Sequence, residues 1–131
     1  MEQINNLFVQ VTGKEFQSSL KRVQDKYSHI KQATTPWNDI DLASNFFVAG
    51  YPAFMGYAIS ENGELTSVFS CIKGKGDIIM QDAIQNGARH LDCFDGYLPS
   101  FYQRHGFKET RREQNWTVGQ PDVVYMERIK L

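Results

Sequence analysis

The pair Asn62-Gly63, flanked by Glu61 and Glu64 and set between two apolar runs, constrains this chain more than any other feature. Asn-Gly supplies the positive φ angles that a tight reversal between antiparallel strands needs. It predicts a hairpin that joins a strand over 54–60 to a returning strand over 65–71. The returning strand runs directly into Lys73-Gly74-Lys75-Gly76-Asp77. A helical stripe of Ile79, Met80, Ala83 and Ile84 follows and is stopped at Gly87. A further strand over 89–94 begins about one helix-length later, as a βαβ crossover requires. A hairpin feeding a crossover helix predicts a mixed α/β sheet.

The flanks agree with that class. Leu7–Val11 reads as a first strand. Thr12 is placed as an N-cap, with Glu15 closing a capping box. Phe16, Leu20, Val23, Tyr27 and Ile30 alternate spacings of four and three, which predicts one helix with one apolar stripe. Residues 31–44 have no periodicity, and Thr35-Pro36-Trp37-Asn38-Asp39 is a loop signature. Phe46-Phe47-Val48 is a short strand broken by Gly50-Tyr51-Pro52. Beyond Asp95-Gly96 come a short helix over 98–105, capped at Gly106, and two strands around 108–116 and 122–129. The predicted order is β-α-β-β-β-α-β-α-β-β. A length of 131 residues argues for one domain over 1–131.

Formal net charge is −1, which speaks against nucleic acid as a partner, because a binder would carry an obvious basic footprint. Met1–Asn6 lacks the basic and apolar regions of a signal sequence. No segment reaches the ~20 apolar residues of a membrane span. Cys71 and Cys93 fall in strands and read as reduced, buried thiols, so a cytoplasmic location is expected. The histidines at 29, 90 and 105 are too scattered for a metal site, and none is expected.

Two constellations could carry chemistry. In the first, Gly74 and Gly76 let backbone amides approach a ligand, and the helix beyond them offers unpaired N–H groups and a partial positive charge. Lys73 and Lys75 add cations, so the segment reads as a phosphate seat. Taken alone, it reads more readily as a glycine-rich turn with solvated lysines. It is neither a P-loop nor a dinucleotide fingerprint. The second runs from Asp95 to Phe107, a strand end leading into a short helix with adjacent Phe101 and Tyr102 and a Gly106-Phe107 exit. Its plain structural reading is core packing around a C-cap.

Together the two segments resemble the GNAT acetyltransferase superfamily. That family's strand and loop read Val-x-Pro-x-x-Arg-Gly-x-Gly-x-Gly/Ala, and Val68, Ser70, Lys73, Gly74, Gly76 and Ile78 fall at those places without a gap. Its later helix reads Asn-x-x-Ala-x-x-x-Tyr-x-x-x-Gly-Phe, and Asp95, Leu98, Tyr102, Gly106 and Phe107 keep that spacing. Lys73, Ile78 and Asp95 stand where the family has Arg, a small residue and Asn. The resemblance implies a GNAT-like mixed, mostly antiparallel sheet. It implies transfer of an acetyl group from acetyl-CoA to a primary amine, on a small molecule or a protein. Pantetheine would lie along Val68, Phe69 and Ser70. The pyrophosphate would sit on Lys73, Gly74, Lys75, Gly76, Asp77 and Ile78, and Asp95 would also face the cofactor. Tyr102 would protonate the departing thiolate. Glu64 is the leading carboxylate to help deprotonate the amine, with Asp92 and Glu113 beside it. Trp37, Phe46, Phe47 and Tyr51 lie where an acceptor pocket would be built, most of them as packing and one or two as its lining. Arg104, Lys108, Arg111 and Arg112 read as a solvated basic face, or as a contact for the CoA 3′-phosphate. Homodimers through the last strands are common in this fold. The alternative is a non-catalytic CoA-binding or protein-interaction module on the same fold.

Overall fold

The capping box predicted at Thr12 starts the first helix in a computed structural model that describes residues 7–128. Thr12 Oγ1 accepts from the Glu15 amide at 3.1 Å, and the Glu15 carboxylate accepts from the Thr12 amide at 2.9 Å. Met1–Asn6, where no signal sequence was read, and Ile129, where the last predicted strand ends, lie outside the described residues. The elements are β1 (Val9–Val11), α1 (Gly13–Lys26), α2 (Ser28–Ala33), a 3-10 turn (Trp37–Asp39), β2 (Asn45–Gly50), β3 (Ala53–Ile59), β4 (Leu65–Ser70), α3 (Gly76–Gln85), β5 (His90–Phe94), α4 (Tyr97–Gln103), β6 (Phe107–Glu113) and β7 (Val123–Arg128). The chain divides into two compact units, Met1–Ala88 and Arg89–Leu131.

In the first unit, β1-β2-β3-β4 form an antiparallel sheet. The α1 stripe of Phe16, Leu20 and Val23 is fully buried and packs with Phe46, Val48 and Phe69. The Phe16 ring lies 4.9 Å from Phe46 and 6.0 Å from Phe69. The single helix predicted through Ile30 is two helices. Tyr27 is extended (φ −123°, ψ 105°) and its amide closes α1 on the Val23 carbonyl at 2.8 Å. Buried Gln24 accounts for the bend. Its amide nitrogen donates to Thr34 Oγ1 and the Thr35 carbonyl, both at 2.8 Å, and its oxygen accepts from the Trp37 amide at 3.1 Å. Those bonds require the chain to double back, because a buried amide without partners is costly. The same bonds order the segment from Thr34 to the 3-10 turn, where the sequence has no periodicity.

The Asn62-Gly63 hairpin is present, with Gly63 at φ 91° and Ile59 facing Leu65. Its register then slips. Ala58 faces Thr66 and Gly56 faces Phe69, so Ser67 and Val68 together oppose Tyr57. This is a β-bulge, with Ser67 in the left-handed region at φ 53°.

The second unit holds a three-stranded antiparallel sheet, β5-β7-β6, with α4 inserted after β5. The mixed α/β class holds, but no parallel pair occurs among the described residues. The crossover reading expected β4 and β5 in one sheet, and they belong to two. β4 ends at Ser70, whose hydroxyl accepts from the Ile72 amide at 3.1 Å and donates to its carbonyl at 2.7 Å, turning the chain out of the ladder. β6 stops at Glu113, so Trp116 is in a loop and largely exposed.

Candidate functional site

The first candidate surface is continuous in sequence, from β4 through the glycine loop into α3. β4 is the edge strand of its sheet, so its outer backbone groups face no strand of that sheet. Its residues alternate, with Leu65, Ser67 and Phe69 buried and Thr66, Val68 and Ser70 partly exposed. Phe69 is part of the core, so its side chain cannot line a ligand channel and only its backbone is eligible. Gly74 has φ 80°, and a Cβ built there would meet nothing within 4 Å, so the loop approaches open space. Lys75 caps α3 without a side-chain hydrogen bond. The first helical bond of α3 runs from the Ile79 amide to the Lys75 carbonyl at 3.1 Å, leaving the earlier first-turn amides outside the helical ladder. Each charge interaction at such a helix end contributes only ~0.3–1 kcal/mol, so an anion here depends on several donors together with Lys73 and Lys75. Ile78, in the place of a small residue, is 36% exposed on the first turn.

Beside the bulge is a cavity of about 210 Å³, formed wholly within the first unit. Asp39 and Asp41, from the segment at the 3-10 turn, line it with Glu64 and Ser67 from the hairpin and the bulge. Asp41 is fixed by its own local turn, its carboxylate accepting from the Ala43 amide at 3.0 Å. Ser67 is 8% exposed, and its hydroxyl has no partner among the described residues. Of the aromatics placed here from sequence, only Phe46 lines the cavity. Phe47 stacks on Tyr57 at 5.1 Å, and Tyr51 is fully exposed. Of the three candidate carboxylates, Glu64 alone reaches the cavity. Glu113 is held by Arg111 and by the Tyr125 hydroxyl in the second unit. Sequence reasoning missed Asp39, Asp41 and Ser67. No spacing rule connects a 3-10 turn to a bulge, and a serine carries no signature of a left-handed backbone.

In the second unit, α4 presents Tyr102, which is 9% exposed and packed against Phe101 and Phe107 at ring distances of 5.1 and 6.1 Å. Burial, with smaller effects of Cys93 and Asp92, pushes its phenol up to about 12. Its hydroxyl has no hydrogen-bond partner among the described residues. Asp95 is already engaged. Its carboxylate accepts from Arg112 at 2.7 Å and from the Gly96 amide at 3.0 Å, and these bonds hold it below the usual carboxylate range. The basic face read around 104–112 is largely neutralised. Arg112 also binds Glu109 at 2.9 Å, and Arg111 pairs with Glu113 and lies over the Tyr125 ring at 3.8 Å. Both cysteines are free thiols, and burial pushes Cys93 up to about 11.

No protein-family model and no curated protein sequence matches the chain. Solved structures do. An acyl-CoA N-acyltransferase from Pseudomonas aeruginosa is similar with a TM-score of 0.70 at 16% identity, over 93% of this chain and 99% of that one. Escherichia coli ElaA is similar with a TM-score of 0.69 at 16% identity, over 93% and 98%. Rv2747 from Mycobacterium tuberculosis, solved in complex with CoA, is similar with a TM-score of 0.57 at 14% identity, over 95% and 99%. At these identities the likeness is one of fold, and it covers nearly the whole of each chain.

Proposed function

We propose that this chain, which has the fold of the acyl-CoA N-acyltransferases, transfers an acetyl group from acetyl-CoA to a primary amine. The observation that supports the reading is the continuous run of bulged edge strand, open glycine loop and helix start without a side-chain cap, along which residues Val68 to Ile78 lie. Pantetheine would pair with the outer edge of β4, along Val68, Phe69 and Ser70. The pyrophosphate would rest on the loop and first turn, at residues 73–78. The interrupted ladder at Ser67 and Val68 supplies backbone donors for the thioester oxygen as it gains charge.

In the transfer, the amine nitrogen attacks the thioester carbonyl, a C–N bond forms and the C–S bond breaks. Tyr102, whose phenol stays protonated far above neutrality, donates a proton to the departing thiolate. The proton lost by the amine balances it. An amine of pKa ~10.4 must first be deprotonated, a cost of roughly 4–5 kcal/mol at neutral pH. Glu64, which lines the cavity beside the bulge, or a water held by it, would receive that proton.

A cytoplasmic setting belongs to the same reading, since both cysteines are free. No helix among the described residues is long and apolar enough to cross a membrane. If two copies pair through the last strands, β6 offers an edge, whereas β7 is central in its sheet.

The test is thiol release from acetyl-CoA by wild type and Tyr102→Phe. The expected result is a fall in rate of roughly a hundredfold or more with near-normal CoA affinity. Equal rates remove Tyr102 from the mechanism. CoA binding without any thiol release favours the non-catalytic module, a reading supported by Ile78 on the first turn of α3 and by the engagement of Asp95 with Arg112.

A further inference from the structure

We propose that the cavity beside the β4 bulge selects a short linear diamine, a molecule carrying a second ammonium besides the amine that reacts. The inference rests on the transferase reading and names its acceptor. Asp39, Asp41 and Glu64 all line the cavity, and no lysine, arginine or histidine does. The chain as a whole is nearly balanced in charge, so this acidity is local.

The carboxylates are not gathered on one point. Among the described residues no three acidic, histidine or cysteine side chains are grouped so that they could hold a metal ion. Carboxylates that share a cavity without converging suit an extended cation with charge at both ends. The remaining lining suits what joins those ends, since Ile40 and Phe46 offer apolar surface to a methylene chain.

An independent observation also points to a ligand. Ser67 is 8% exposed and lines the cavity, yet its hydroxyl has no partner among the described residues. Buried hydroxyls are normally satisfied, and an ammonium N–H is a donor that this oxygen can accept. Glu64 and Ser67 flank the start of the bulged strand, where the reacting amine is needed. Asp39 and Asp41 are left for the second ammonium. At about 210 Å³ the cavity is smaller than the usual small-molecule pocket of ~300–1,000 Å³, which favours a compact acceptor. The reacting amine forms the C–N bond as the C–S bond breaks, its proton balances the one taken up by the thiolate, and the mono-acetylated product keeps its distal charge.

Putrescine and butylamine share a carbon chain and differ in the second ammonium. Calorimetric titration of the full chain should show putrescine binding about tenfold tighter, with the preference shrinking in ~1 M salt. The double substitution Asp39→Asn and Asp41→Asn should abolish the preference of putrescine over butylamine. Asn at 41 retains an oxygen for the Ala43 amide, and a thermal melt reports whether the variant is folded. Thiol release from acetyl-CoA is then measured with both amines. Preferred binding and preferred acetylation of putrescine support the proposal. Equal affinities (absence of binding by either included), or equal kcat/KM for the two amines, overturn it and leave the transferase reading standing. Preferred binding without thiol release from any amine overturns that reading instead.

Discussion

Ser67 occupies a backbone conformation, φ 53°, that costs an L residue roughly 1–2 kcal/mol. Replacing it by Gly removes that strain but increases the freedom of the unfolded chain by a comparable amount. Ser67→Gly is therefore expected to change stability in urea by less than about 0.5 kcal/mol. Ser67→Val, β-branched and buried at the same φ, should lose about 2 kcal/mol or more. A large loss in the glycine variant would show that the hydroxyl, not the backbone, is what matters at this position. Ser67 also marks a limit of sequence reading. The short helix that carries Tyr102 was legible because Asp95-Gly96 and Gly106 bound it, and Gly63 because only a few residues tolerate its turn. A serine enters turns, caps, strands and bulges alike, so nothing in its identity announced the strained position. Asp95 shows the opposite failure. Its place in the motif was visible, but its partner Arg112 comes from another strand and could be found only in three dimensions.

At the scale of elements, local chemistry was legible and long-range satisfaction was not. The Thr12–Glu15 box was readable because both partners lie within one turn, and both bonds form. Thr12→Ala removes one of them and leaves an amide at the helix start without its acceptor. Chemical denaturation should show a loss of about 1 kcal/mol. An unchanged midpoint would mean that packing of the Phe16–Leu20–Val23 stripe alone holds the helix. The break at Tyr27 was hidden because the apolar spacing continues across it to Ile30, which is buried in α2 as it would have been in one long helix. What divides the helices is the demand of a buried Gln24 for partners on the segment beyond. Likewise, the strand-to-helix-to-strand pattern after the hairpin was read correctly as an order of elements. Ladder pairing is non-local, so that order did not reveal that β4 and β5 lie in separate sheets.

Across the whole molecule, two tyrosines link stability to alkaline pH. Tyr57 is fully buried and donates to Asp82 while accepting from Asn86 at 2.9 Å, and burial first of all raises its phenol. Tyr102 is raised to about 12, again chiefly by burial. The folded chain therefore holds these protons more tightly than the unfolded chain does. The stability they provide is complete below about pH 10, the unfolded value, and is lost as pH rises through the folded values. Thermal melts taken at rising pH should show Tm falling above about pH 10, and less steeply in Tyr102→Phe. A flat profile would mean that the phenols titrate as they do in water. The Asn62-Gly63 hairpin joins the two halves of this surface. It delivers Glu64 and Ser67 to the cavity a few residues before the glycine loop at 73–76, yet no residue of that loop lines the cavity. Exchanging that rim would therefore reshape the cavity while the backbone of the glycine loop stays untouched, so under the proposed transferase reading the acceptor and donor halves are free to vary apart.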